Sequence, residues 1–279
     1  MTRILELFGH PTDRPDNWAD LVASQQCPFV GATCSKRRKS TSAVIGTCTV
    51  AHGTGNLPIV ICPNRFQETA LVFTDCLHLL AHQPGNELHV LSEISIPGGS
   101  VDYFLVSTFD RHVTDFVGIE FQSLDTTGSV WPERQRFLHS VGIPVAESDF
   151  SSPATYGMNW KMTAKTTLIQ LHHKVQTFES LNKHLVLVAQ NELLTYLRRA
   201  FSFGHVAVAS DQDSMQIHAY ELIRSTGGDG YKLRLSERAS TNAAGVETSL
   251  GLRADPLIDL MSIVATIERR ISDDTLLTL

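Results

Sequence analysis

The sequence predicts a mixed α/β fold around a central sheet. Runs of β-forming residues alternate with runs whose apolar residues recur at helical spacing. Two of the β-rich runs, residues 101–106 and 115–122, are separated by only a short connection. The composition, 42% hydrophobic and 19% charged over 279 residues, is that of an ordinary globular protein able to bury a sizeable core. No apolar run approaches the roughly twenty residues of a membrane span, and MTRILELFGH is too short in apolar residues for a signal peptide. A cytoplasmic protein with no membrane partner is expected. A formal net charge of -6 excludes a non-specific coat on nucleic acid, but not specific DNA contact through local positive charge.

In chain order, Met1–Trp18 reads as a loose arm or short helix broken by Pro11 and Pro15. Four of the five cysteines follow, Cys27, Cys34, Cys48 and Cys62, among many Gly and Pro residues. Short strands are expected at Val44–Val50 and Leu57–Cys62. Asn64–His82 has an Asn cap and helical apolar spacing through Phe66, Ala70, Phe73, Leu77 and Leu80. Glu87–Ile96 reads as a strand leading through Pro97-Gly98-Gly99 to the two central runs. Helices are expected at Pro132–Val141, Met158–Ser180, Glu192–Phe201 and Pro256–Ile271. His184–Gln190 is an apolar strand, and Met215–Arg224 pairs with Tyr231–Arg238 across a Gly-rich turn. The expected division is an arm and cysteine region, 1–65, followed by a larger domain, 66–279, that carries the two central runs.

Successive strand side chains alternate between faces, so Glu120 and Gln122 share one face of the second central run and Ile119 and Phe121 the other. Asp102 opens the neighbouring run. Two carboxylates on adjacent strands suit a hard divalent cation such as Mg²⁺, which can do much of the work of phosphodiester cleavage by acidifying water and stabilising charge on the phosphate. Gln122 can orient water but carries no charge. The same three residues also fit an ordinary polar sheet edge.

The cysteines fit unrelated buried thiols or a closed four-thiolate site for zinc or iron; disulfides are unexpected in the cytosol. Lys36-Arg37-Arg38-Lys39 is either a solvated loop or a DNA-phosphate contact. The same choice applies to Lys161, Lys165 and Lys174 on the long helix, whose alternative is the solvated face of a core helix. His78 and His82 lie four apart beside Cys76, as a helical His pair or a metal pair would.

Taken together, the pieces resemble the NotI-type restriction endonucleases, a branch of the PD-(D/E)xK nuclease fold. They are Glu6-Leu7-Phe8-Gly9-His10, Cys27-Pro28-Phe29, Gly46-Thr47-Cys48-Thr49-Val50, Val60-Ile61-Cys62-Pro63-Asn64-Arg65, Asp102-Tyr103-Phe104-Leu105 and Glu120-Phe121-Gln122-Ser123-Leu124-Asp125 with Gly128-Ser129. Lys165–Lys174 and Pro256-Leu257-Ile258-Asp259-Leu260 complete the order. The resemblance implies a mixed central sheet flanked by helices. Cys27, Cys34, Cys48 and Cys62 would hold one structural iron, alternatively zinc. Asp102 and Glu120 would hold the catalytic Mg²⁺, with Gln122 in the place usually given to lysine and Glu93 as the candidate third carboxylate. It further implies a homodimer cutting double-stranded DNA at a short GC-rich palindrome to leave 5′-phosphates, beside a cognate DNA methyltransferase. A DNA-binding module with a vestigial nuclease sheet is the rival from another class. A rubredoxin-like electron carrier would leave most of the chain without a role.

Overall fold

The computed structural model describes residues 3–38, 40–225 and 230–252, with Val264 and Arg269. Lys39, the tip of the Gly-rich turn and the expected helix Pro256–Ile271 (its Val264 and Arg269 aside) lie outside the described residues.

The N-terminal part is a small antiparallel sheet. Strand β1 (Ile4–Leu7) sits between β2 (His10–Pro11) and β5 (Thr47–His52), and β6 (Leu57–Val60) closes the order β2-β1-β5-β6. Helix α1 (Trp18–Ser24) and the ribbon of β3 (Gln26–Cys27) and β4 (Ala32–Thr33) lie between them in the chain. The expected loose arm or short helix, Met1–Trp18, instead contributes the two short strands β1 and β2, and α1 begins only at Trp18. The arm's misleading residue is Glu6, buried against Arg65 with Nε 2.9 Å from Oε2 and a hydrogen bond from Thr49. A charge in a short apolar run reads as exposed, whereas here a buried guanidinium compensates it.

The expected helix Asn64–His82 is broken. A 3₁₀ turn over Pro63–Ala70 is interrupted at Glu68 and Thr69, α2 spans only Leu71–Thr74, and a second 3₁₀ turn covers Leu77–Leu79. The Glu68 carboxylate, paired locally with Arg65 Nη1 at 2.7 Å, also accepts from the Leu233 N–H at 2.9 Å, a tertiary bond that overrides the local helical pattern.

The main sheet has seven strands. They are β7 (Glu87–Ile96), β8 (Gly99–Phe109), β9 (His112–Gln122), β12 (His184–Gln190), β13 (Ala207–Val208), β14 (Met215–Arg224) and β15 (Tyr231–Thr241), in the order β13-β15-β14-β12-β9-β8-β7. β12 runs parallel to both β9 and β14, and the other pairings are antiparallel. A two-stranded ribbon, β10 (Thr126–Gly128) with β11 (Tyr156–Met158), and helices α3 (Trp131–Ser140) and α4 (Glu147–Phe150) fill the segment before α5 (Trp160–Ser180). α6 (Asn191–Ala200) follows β12, and α7 (Ala243–Ser249) follows β15.

The period-two pattern divides the interior into two layers. Leu185, Leu187 and Ala189 of β12 pack with Leu168, Leu171, Val175 and Phe178 of α5. Val186 and Val188 pack on the other face with Phe66, Phe73 and Leu79. Residues on both sides of position 65 share the first layer, which also contains Ile4, Leu7, Val50 and Ile59. Gln190 ties the two sheets, accepting from Val60 N–H at 2.8 Å and donating to Pro58 O at 2.6 Å.

Candidate active site

β8 and β9 pair antiparallel with Tyr103 opposite Ile119 and Phe104 opposite Gly118. One step further along this register, Asp102 faces Glu120. The Asp102 carboxylate accepts the Phe121 backbone N–H at 2.8 Å, and the Asp102 backbone N–H in turn hydrogen-bonds the Glu120 carboxylate. Both carboxylates belong to the face that packs on α5, with Phe104 and Val106. Gly118 keeps that face close: a Cβ there would stand 2.3 Å from Phe178 Cζ.

A third carboxylate lies on the next strand. Glu93 sits between Ser92, paired with Tyr103, and Ile94, paired with Val101, so it stands opposite Asp102. It takes φ +54, a conformation rare and strained for a residue with a Cβ. Glu93 and Asp102 line one cleft of about 220 Å³ with Pro63, Asn64, Tyr103 and Phe121. Tyr103 donor–acceptor contact with Gln67 Nε2, at 2.8 Å, braces the cleft wall.

Glu120 does not stand free. Lys174 Nζ from α5 donates to its Oε1 at 2.6 Å, with both side chains about nine-tenths buried. Burial nevertheless pushes the Glu120 carboxyl up to about 7, with the nearby Asp102 charge adding to it and Lys174 opposing it. Gln122 is also held from α5: the Thr167 hydroxyl lies 2.8 Å from its Oε1, and its Nε2 donates to Ser123 O at 2.7 Å.

The basic residues therefore separate. Lys174, expected at the DNA backbone, is buried and bonded to Glu120, because it occupies the apolar stripe of α5 formed by Leu171, Val175 and Phe178. Lys161 and Lys165 are on the exposed face of the same helix. Lys36 donates to Ile61 O, and Arg38 lies 3.5 Å from Asp149 and over the Trp131 ring. Arg37 is exposed and donates to Ser42 O at 3.1 Å. Cys76 is buried 3.8 Å from His218 Nδ1, and His78 stacks on His218, while His82 is exposed on its own. Sequence reasoning missed the Lys174–Glu120 pair, although a lysine inside an apolar helical stripe was its visible signal. It also missed Thr167, Gln67 and Tyr103 as supports.

Cys27, Cys34, Cys48 and Cys62 are all buried in the N-terminal part. Cys48 and Cys62 hydrogen-bond through their sulfurs, and Cys27 feels the charges of both Cys62 and Cys34. Backbone N–H groups of Phe29 and Val30 reach Cys27, those of Asn64 and Arg65 reach Cys62, and that of Gly9 reaches Cys48. The Cys48 hydrogen bond, with Lys36 and these N–H groups, brings the Cys62 thiol down to about 6. At Cys62 such N–H···S contacts favour thiolate, whereas burial pushes the Cys27 thiol up and the hydrogen bond with Cys62, with burial, pushes Cys48 up. Among the described residues, however, no group of three or more His, Cys, Asp or Glu side chains is arranged to hold a metal ion. None of the described helices is long and apolar enough to cross a membrane.

A family model described as restriction endonuclease NotI matches residues 18–233. A search of curated proteins finds no match. The matched span runs from α1 to the start of β15 and contains the cysteines, Asp102, Glu120, Gln122 and Lys174. The chain belongs to the NotI restriction endonuclease family and is a site-specific deoxyribonuclease.

Proposed function

We propose that this protein is a Mg²⁺-dependent type II restriction endonuclease that hydrolyses double-stranded DNA at a short, GC-rich palindrome. The observation that carries the catalytic assignment is the meeting of Asp102 and Glu120 on paired strands, where Asp102 lines a cleft together with Glu93. These oxygens fit a hard cation, and Asp102 and Glu120 would hold it. Bound Mg²⁺ would make the attacking water more acidic and stabilise charge on the phosphate.

The chain's own residues orient the rest. The Phe121 N–H fixes Asp102, and Lys174 holds Glu120. Gln122, braced by Thr167, orients water with the N–H of its amide that Ser123 does not take. Water adds to phosphorus, the bond to O3′ breaks, and O3′ takes a proton, leaving a 5′-phosphate. Arg37, Lys161 and Lys165 are exposed cations for the DNA backbone, with Lys36, Arg38 and Lys39 beside Arg37 in the chain. A palindrome is cut on both strands by a homodimer in the cytoplasm, and a cognate DNA methyltransferase protects the host sites.

We assign Cys27, Cys34, Cys48 and Cys62 to one structural iron, alternatively zinc. Their common burial and the backbone N–H donors aimed at three of the sulfurs support that reading. Four thiolates leave no position for water, so the ion would hold residues 1–65 together beside the catalytic part, 66–279, rather than act on DNA.

Incubation of the pure protein with Mg²⁺ and mixed-sequence DNA tests the function. Discrete bands are expected, and Asp102→Ala or Glu120→Ala should abolish them while each variant still binds DNA. Binding without cutting by the parent chain would favour the non-catalytic DNA-binding protein. Persistent cutting by either variant would displace the active site.

A further inference from the structure

Lys174 is a costly residue where it stands. Its position in α5 falls among Leu171, Val175 and Phe178, and its side chain is 6% exposed. Burying an ammonium and a carboxylate together sacrifices hydration that their attraction only partly restores, and apolar replacements of similar volume are often as stable. A pair retained only for stability has little physical advantage over them.

The surroundings are built to admit this side chain. The Pro97-Gly98-Gly99 turn closes against α5 at His173 and Lys174, where Thr177 Oγ1 donates to Pro97 O at 2.8 Å. A Cβ on Gly99 would stand 3.3 Å from Lys174 Cε, so the missing side chain leaves room for the lysine stem. The ammonium then ends 2.6 Å from Glu120, on the face that also carries Asp102 and Gln122. Gln122 is neutral, and Thr167 and Ser123 already engage both ends of its amide. The strand end thus has carboxylates and an amide but no cation, while the neighbouring helix delivers one to the same place.

We propose that Lys174 is the active-site cation, supplying from α5 the positive charge that Gln122 cannot supply from β9. The inference rests on the nuclease reading above. The reaction balance stays that of hydrolysis: water and a phosphodiester give a 5′-phosphate and a 3′-hydroxyl. The part of Lys174 is to hold Glu120 in line and to offset negative charge that grows as water attacks. A preorganised charge of this kind changes rates by about 10²–10³-fold when removed.

The test compares the parent, Lys174→Met and Lys174→Met with Gln122→Lys, using mixed-sequence genomic DNA and saturating Mg²⁺. Band formation by Lys174→Met should fall at least 100-fold. The double variant, which returns a cation from the strand, should recover at least tenfold of that loss. Melting temperature with EDTA and with Mg²⁺, without DNA, gives a second readout. Mg²⁺ should raise the melting temperature of Lys174→Met at least as much as that of the parent, because Glu120 loses a competitor but remains a ligand. Cutting by Lys174→Met within threefold of the parent overturns the inference. So does loss of the Mg²⁺ response, which would make Lys174 only a brace for the metal ligand. A double variant that neither folds nor cuts also overturns it, since the lysine would then be needed for its place in the helix and not its charge. A parent chain that does not cut at all refutes the nuclease reading itself, a result distinct from these.

Discussion

Replacing Gly98 by alanine should loosen the contact between the active-site sheet and α5. Gly98 has φ +98, and a Cβ built there lies 2.7 Å from the His173 carbonyl oxygen and 2.9 Å from its carbon. The left-handed backbone costs an L-residue about 1–2 kcal/mol. The collision is with helix backbone, which cannot rotate aside, and forced overpacking of this kind costs about 1–3 kcal/mol. Together the substitution removes about 2–5 kcal/mol, a large share of an ordinary domain's stability of about 5–15 kcal/mol. At about 2–4 °C per kcal/mol for a chain approaching this size, melting should fall by roughly 4–20 °C. Gly85→Ala is the control: it has φ +94 but nothing within 4 Å of its Cβ, so it carries only the backbone cost. Circular dichroism melts of the two variants measure the difference. If Gly98→Ala melts no lower than Gly85→Ala, the close approach of the turn to α5 is refuted, and with it the seat described for Lys174.

Two further predictions concern ionisation and metal. Burial pushes the Glu120 carboxyl up to about 7; under the proposed assignment only its carboxylate would hold Mg²⁺, so at subsaturating Mg²⁺ the cleavage rate should climb steeply from pH 5.5 to 7 and then level. A flat profile over that window would contradict it. The same raised value means Glu120 favours the fold most below its ordinary 4.5 and loses that contribution as pH rises through about 7, which pH-dependent melts in EDTA read directly. For the cysteines, Cys48→Ser or Cys62→Ser should abolish bound iron or zinc in elemental analysis and lower the melting temperature. Zinc in place of iron should leave cleavage intact. Cleavage that followed the metal's oxidation state with the fold unchanged would oppose a structural role.

Local pattern made the centre of this fold legible. The alternation around Asp102 and Glu120 corresponds to β8 and β9, and the uninterrupted apolar run at His184–Gln190 is β12, buried on both faces. What stayed hidden depended on partners distant in sequence. Glu6 made β1 look exposed because Arg65 lies 59 positions away. Glu68 leaves the helical path for the Leu233 N–H, 165 positions away. Lys174 resembled a solvated cation because nothing near it in the chain announced Glu120. In each case a buried charge took its meaning from a tertiary contact, which periodicity does not encode.

The most direct measurement of the central claim is to sequence the ends of genomic DNA digested by the pure protein in Mg²⁺. The account predicts ligatable 5′-phosphate ends that all derive from one short palindrome, and no such ends with Asp102→Ala. Ends sharing no sequence, ends carrying 3′-phosphates, or an unchanged pattern from Asp102→Ala would contradict it.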